Sequence, residues 1–207
     1  MANKKYIIGF GTGRCGTASL AKLLDGCKNA SVSHEFRERN DPYYRLAWDF
    51  NTTEGERRVK NLMSINAGIV GDIGHFYLNY VEYLFEHLPN TKMIYLHRPK
   101  PEVVKSFLRK TKKTHWLPKN HNDFEAHETW TRTFPQFVEA KDKVHSIELY
   151  WESYQRKAKR LKEKYPNRIF YMSIYDLNQK DRLKIMYDFL EIPKEYRNYN
   201  ITKENQS

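Results

Sequence analysis

Short apolar runs recur along the chain, and each is followed by a stretch whose apolar positions return at helical spacing. Tyr6-Ile-Ile-Gly-Phe10 predicts a buried strand, and Thr17 to Leu24, with Leu20, Leu23 and Leu24 on one side, predicts a helix behind it. Ala30 to Glu35 predicts a second strand, and Asp41 to Ile65, where polar and aromatic residues alternate, a broken helical stretch. Gly68-Ile-Val-Gly-Asp72 predicts a third strand, followed by an amphipathic segment from Tyr77 to Leu88. Lys92-Met-Ile-Tyr-Leu-His97 predicts a fourth strand, and Pro101 opens a helix that runs to Lys110. The polar stretch from Thr111 to Asn122 is expected to be a loop over a site. A long helix from Ile147 to Tyr165 leads into a last strand, Arg168-Ile-Phe-Tyr-Met-Ser173, and a helix from Asp181 to Leu190 precedes a polar tail. Short apolar strands alternating with helices predict an α/β fold, a three-layer sandwich with a central parallel sheet and helices on both faces. No repeat, linker or shift in composition divides residues 1–207, so one domain is expected.

Composition refines that picture. At 207 residues, with 40% hydrophobic and 14% aromatic content and fifteen tyrosines, the chain is globular and not disordered. Lys plus Arg number 36 against 25 Asp plus Glu, a net charge of +11, which favours an anionic partner: a nucleotide, nucleic acid, sulfated glycan or membrane surface. Part of the excess lies in Gln155-Arg-Lys-Ala-Lys-Arg-Leu-Lys-Glu-Lys164, where Ala158 and Leu161 keep the spacing of a buried stripe, so the run reads as a solvated helix face. Two cysteines, Cys15 and Cys27, argue against a disulfide-stapled secreted protein. The apolar run near the N-terminus stops at Gly9 and soon meets Arg14, too short for a signal peptide. No apolar stretch approaches the roughly 20 residues that span a bilayer. A soluble, cytoplasmic protein in a reducing compartment is expected. The eight histidines lack ligand spacing, and no metal site is expected.

Candidate chemistry centres on Gly11-Thr-Gly-Arg-Cys-Gly-Thr17, between the first strand and the first helix. A strand, a tight glycine turn and a helix N-terminus converge backbone N–H groups and positive dipole on one anion. Three readings of the loop compete. Gly11, Gly13 and Gly16 satisfy the dinucleotide pattern G-x-G-x-x-G, and Glu35 lies near where a ribose-binding acid is expected; Arg14 inside the turn is awkward for that ligand. An NTPase loop needs Lys after its last glycine, and Thr17 stands there. The third reading puts the cation ahead of the glycine, as Arg14-Cys15-Gly16-Thr17.

A second motif follows the fourth strand, Arg98-Pro-Lys-Pro-Glu-Val-Val-Lys-Ser106, with Arg98 and Ser106 eight positions apart. A guanidinium fork and a hydroxyl on the next helix suit a phosphate. Together the two motifs resemble those of the sulfotransferases that use 3′-phosphoadenosine-5′-phosphosulfate. That resemblance implies a P-loop NTPase-like fold and transfer of a sulfuryl group to an acceptor hydroxyl without a metal. It implies a 5′-phosphosulfate held by Gly13, Arg14, Cys15, Gly16, Thr17, Ala18 and Ser19, and a 3′-phosphate held by Arg98 and Ser106. The product would be adenosine 3′,5′-bisphosphate. Trp151-x-x-Tyr154, Arg168 to Leu177 and Phe189-Leu-Glu-Ile-Pro193 resemble the C-terminal half of bacterial and phage-type members, mostly scaffold. The sequence departs from the family at Ala18, where many relatives carry a second Thr, and at Cys15, which replaces a common Ser. It lacks the Arg-Lys-Gly clamp of the cytosolic branch, for which Arg197 or Lys203 could substitute.

Arg14 is placed by the resemblance to neutralise the leaving phosphate, and a general base must take the acceptor proton. Glu35 matches the catalytic Glu of the glycan and tyrosine branches, and His75 resembles the catalytic His of the cytosolic branch. His34 is a third candidate, though it points away from Glu35 if the segment stays extended. Two other functions stay open: a nucleotide or nucleic-acid binding module using Trp116, Trp130 and the lysines of 105–119, and a Rossmann-type NAD(P) enzyme. The acceptor class is open too, since Pro42-Tyr-Tyr-Arg-Leu-Ala-Trp48 suits a sugar, a peptide or a small phenol equally.

Overall fold

The computed structural model describes residues 4–36, 45–111 and 131–200. Five strands form one wholly parallel sheet: β1 (Lys5–Phe10), β2 (Ala30–His34), β3 (Ile69–Ile73), β4 (Thr91–His97) and β5 (Ile169–Ser173), in the order β2-β3-β1-β4-β5. Period-two alternation sends strand side chains to opposite faces. Tyr6, Ile8, Phe10, Met93 and Tyr95 pack into one core, covered by α2 (Thr52–Ser64), α3 (Val81–His87), α4 (Lys100–Thr111) and α5 (Lys143–Lys164). Ile7, Ile94, Leu96 and Met172 pack into the other, under α1 (Thr17–Asp25) and α6 (Lys180–Phe189). The sandwich expected from the apolar pattern is present.

The chain adds β2 and β3 on one side of β1, then crosses to add β4 and β5 on the other. Such a switch opens a crevice beyond the carboxyl end of the central strand, where open α/β sheets bind ligands. The glycine loop leaves β1 there. This order also departs from the dinucleotide fold, in which β2 lies directly beside β1.

Several boundaries differ from expectation for local reasons. Of Asp41–Ile65, only Thr52–Ser64 is helical among the described residues; Asn51 caps it by accepting from the Glu54 amide, 3.1 Å away. The segment from Tyr77 to Leu88 divides at Tyr80 into the end of a 3₁₀ turn, His75–Asn79, and α3. Helix α5 starts four residues early because Asp142 caps it through the His145 amide (2.8 Å). The expected loop at 112–122, Trp116, Trp130, residues 42–44 and Lys203 lie outside the described residues. Among the described residues no helix is long and apolar enough to cross a membrane.

Candidate active site

The glycine loop takes its shape from two left-handed residues, Arg14 (φ 65°) and Gly16 (φ 97°). A side chain on Gly11 would place Cβ 2.2 Å from the Leu96 carbonyl oxygen, so the loop packs against β4 only without one. Gly16 is the N-cap of α1 and supplies no capping side chain, and no acid stands in the first turn. That start leaves the positive end of the helix for an outside anion. Two expected phosphate donors are engaged elsewhere. The Gly13 amide donates to the Tyr150 hydroxyl (2.9 Å), and the Cys15 amide to the Thr12 carbonyl (3.2 Å). The Cys15 side chain is fully buried, and that burial pushes its thiol up to about 12, so it stays protonated. Ala18 and Ser19 sit in the first turn of α1, and the Thr17 hydroxyl meets His34 Nε2 at 3.0 Å.

The two motifs meet. Arg14 Nε donates to Ser106 Oγ on α4 (3.2 Å), and an Arg98 terminal nitrogen donates to the Arg14 carbonyl oxygen (3.0 Å). Arg98 Nε also donates to Glu102 (3.0 Å), and the Trp151 indole N–H anchors the Arg98 carbonyl at 2.9 Å. The Arg14 guanidinium lies below its usual pKa because it is partly buried and because Arg98 and Arg109 crowd it with like charge. An anion placed among these guanidiniums relieves that repulsion.

Glu35 stands across the loop, nine-tenths buried. Its carboxylate lies 3.0 Å from Arg45, 3.5 Å from His75 Nδ1 and 3.9 Å from His34 Nε2. Burial alone would raise its pKa, but the hydrogen bond and charge of His75, then Arg45 and His34, outweigh burial and hold it at about 2. His34 and Glu35 would point apart only on an extended segment; Glu35 has φ 56°, and the two side chains come within 3.9 Å of each other. His75 is fully buried and has no nitrogen to spare. Its Nε2 faces the Thr133 carbonyl (2.9 Å), which only accepts, so Nε2 carries a hydrogen and Nδ1 turns to Glu35.

A family model described as Sulfotransferase domain matches residues 6–189. The chain belongs to the sulfotransferase family. The fold is similar to that of sulfotransferase STF1 from Mycobacterium tuberculosis H37Rv (type1 form), with a TM-score of 0.58 and 14% identity over 94% of this chain and 70% of that one. A comparison with curated proteins finds no match.

The sulfotransferase brings Arg14, Thr17, Glu35, His34, His75, Arg98 and Ser106 to the carboxyl ends of its strands, and leaves Arg197 out. Arg197 donates to the Ile192 carbonyl (2.8 Å) and to Asp188 (2.6 Å), which ties down the chain after α6, where the Tyr196 carbonyl takes the Lys28 amide ahead of β2, at the end of the sheet away from the site. Three residues at the site carry no motif and were missed. Tyr150 holds the loop, Arg45 holds Glu35, and Thr133 holds His75. Only Arg45 left a trace, inside an aromatic stretch read for its rings. Among the described residues no group of His, Cys, Asp and Glu could hold a metal ion.

Proposed function

We propose that this sulfotransferase takes its sulfuryl group from 3′-phosphoadenosine-5′-phosphosulfate and passes it in line to an acceptor hydroxyl. The observation that supports this is the junction of the two motifs, Arg14 on Ser106 and Arg98 on the Arg14 carbonyl, which brings the two cationic motifs side by side. The residues fit such a donor: a loop that admits no Cβ at Gly11, an uncapped helix start and crowded guanidiniums all favour a compact, multiply charged anion. Arg14 with the first turn of α1, from Gly16 through Ser19, would hold the 5′ end, and Arg98 with Ser106 the 3′-phosphate. The donor, when bound, supplies an activated sulfate on a phosphate leaving group. Arg14 neutralises charge that builds on that leaving oxygen.

Glu35 is the base. It is ionised at neutral pH and ready to accept the acceptor proton; its low proton affinity means the proton moves late, as the acceptor oxygen loses electron density to sulfur. His75 and Arg45 orient it. His75 itself does not reach the acceptor, since its nitrogens are turned to Thr133 and Glu35. Two buried free thiols suit a cytoplasmic, reducing setting.

Thermal denaturation with adenosine 3′,5′-bisphosphate, AMP, ATP and NAD tests the donor. At about 100 times its Kd a ligand adds roughly 2.7 kcal/mol, so the bisphosphate alone is expected to raise Tm by several degrees. Arg98→Ala should weaken it by about 1.5–3 kcal/mol, the worth of a charged hydrogen bond. Equal stabilisation by AMP would overturn the assignment of a 3′-phosphate site, and preference for NAD would overturn the donor.

A further inference from the structure

The buried acid Asp72 takes no part in the chemistry described above. It is fully buried on β3, between β1 and β2, directly across from Ser33. Four donors surround it. Oδ1 accepts from the Ser33 hydroxyl (2.8 Å) and the Phe36 amide (3.0 Å); Oδ2 accepts from Arg58 (2.8 Å) and the Tyr77 hydroxyl (2.6 Å). Arg58 is itself 1% exposed and lies 4.7 Å over the Phe36 ring. Two of these contacts hold Phe36 (φ 34°), which with Glu35 (φ 56°) leaves β2 in the left-handed region. Neither is a residue that adopts this conformation readily, so the turn persists only where its surroundings over-determine it.

We propose that Asp72 is a positioning residue for Glu35, holding the left-handed turn at Glu35 and Phe36 that points the Glu35 carboxylate at His75 and Arg45. The alternative backbone is a strand continued by two residues. Strand alternation would then put His34 and Glu35 on opposite faces, which the present 3.9 Å approach of the carboxylate to His34 does not allow. Asp72 prevents this by taking the Phe36 amide, while Ser33, Arg58 and Tyr77 fix the carboxylate that takes it. A carboxylate is required because all four neighbours donate; an amide in its place turns an N–H toward two of them. The inference rests on Glu35 being the base.

The test follows the Glu35 carboxyl by carbon NMR of glutamate-labelled protein, its signal assigned by loss in Glu35→Gln. In the parent protein the signal should stay that of a carboxylate down to the acid limit of the fold. In Asp72→Asn it should titrate in the ordinary carboxylate range near pH 4, and in Ser33→Ala it should move the same way by less. Calorimetry with adenosine 3′,5′-bisphosphate should show less than a two-fold change in Kd for both variants. An unmoved Glu35 titration in folded Asp72→Asn overturns the proposal. So does a ten-fold loss of nucleotide affinity alongside the shift, because that marks general disruption. Where Asp72→Asn does not fold, Ser33→Ala decides: no shift there is a refutation. Undiminished sulfuryl transfer by Glu35→Gln would sink the base assignment separately, leaving the NMR result to judge the turn.

Discussion

Glu35 is an acid that burial should neutralise and three neighbours keep charged. Its pKa falls from 4.5 to about 2, so the unfolded chain binds a proton that the folded one refuses. The stability this contributes is fully present above about pH 4.5 and is lost as pH falls toward 2; the shift corresponds to about 3 kcal/mol. In Glu35→Gln the rise in unfolding free energy between pH 2 and 4.5 is therefore expected to shrink by that amount, read from urea transitions at stepped pH. An unchanged rise would mean that the carboxylate is not held as described. At neutral pH the same variant should lose about 10²- to 10⁴-fold in turnover, the usual worth of a general base, with the bisphosphate Kd unchanged. The sequence exposed Glu35, Arg14, Arg98 and Ser106 because motif spacing around a strand end is local. It could not expose the roles of Arg45 or Asp72, which depend on residues of other segments that the fold brings beside them.

The elements around the site divide between a glycine loop at the carboxyl ends of the strands and helices that brace it. Helix α5 braces the loop by two tyrosines one turn apart: Tyr150 accepts from the Gly13 amide, and Tyr154 donates to the His75 carbonyl (2.8 Å). One helix thereby fixes both the glycine loop and the turn that carries His75. Tyr150→Phe keeps the ring packing and leaves a buried amide without its acceptor, a change that costs about 1–3 kcal/mol. For a chain of this size a loss of 1 kcal/mol lowers Tm by roughly 2–4 °C, so scanning calorimetry resolves it. An unchanged Tm would show that the loop finds another acceptor. Elements with strong apolar patterns were legible to within a residue or two: β3 was expected at Gly68–Asp72 and occupies Ile69–Ile73. Starts set by single caps, such as Asn51 and Asp142, were not, because a cap depends on one side chain and leaves the apolar period unchanged. The 3₁₀ turn at His75 was illegible for a related reason, since its apolar residues suit an α-helix equally.

At the scale of the whole molecule the question is whether the net charge of +11 serves the site or only keeps the chain in solution. Much of the cationic excess lies away from the glycine loop. Arg156, Lys159 and Arg160 are exposed on α5, beyond the face that packs on the sheet. Along the helix axis they stand about 9–15 Å from Tyr150, at 1.5 Å per residue. That is comparable to the screening length of about 10 Å in 0.1 M salt and well inside the 30 Å of 0.01 M salt. In dilute salt the field of these charges reaches a nucleotide on its approach to the glycine loop. Exchanging all three for Gln should therefore slow association of adenosine 3′,5′-bisphosphate about two- to five-fold at 10 mM salt, within the range known for electrostatic steering. The dissociation rate should not change, and the two proteins should converge above 150 mM. Stopped-flow fluorescence with a labelled bisphosphate separates the two rates. A change in dissociation would mean that α5 contacts the ligand, and loss of affinity for single-stranded nucleic acid with no effect on the bisphosphate would make this face a polymer-binding surface. Steering predicts neither, because it acts before contact and ends with it.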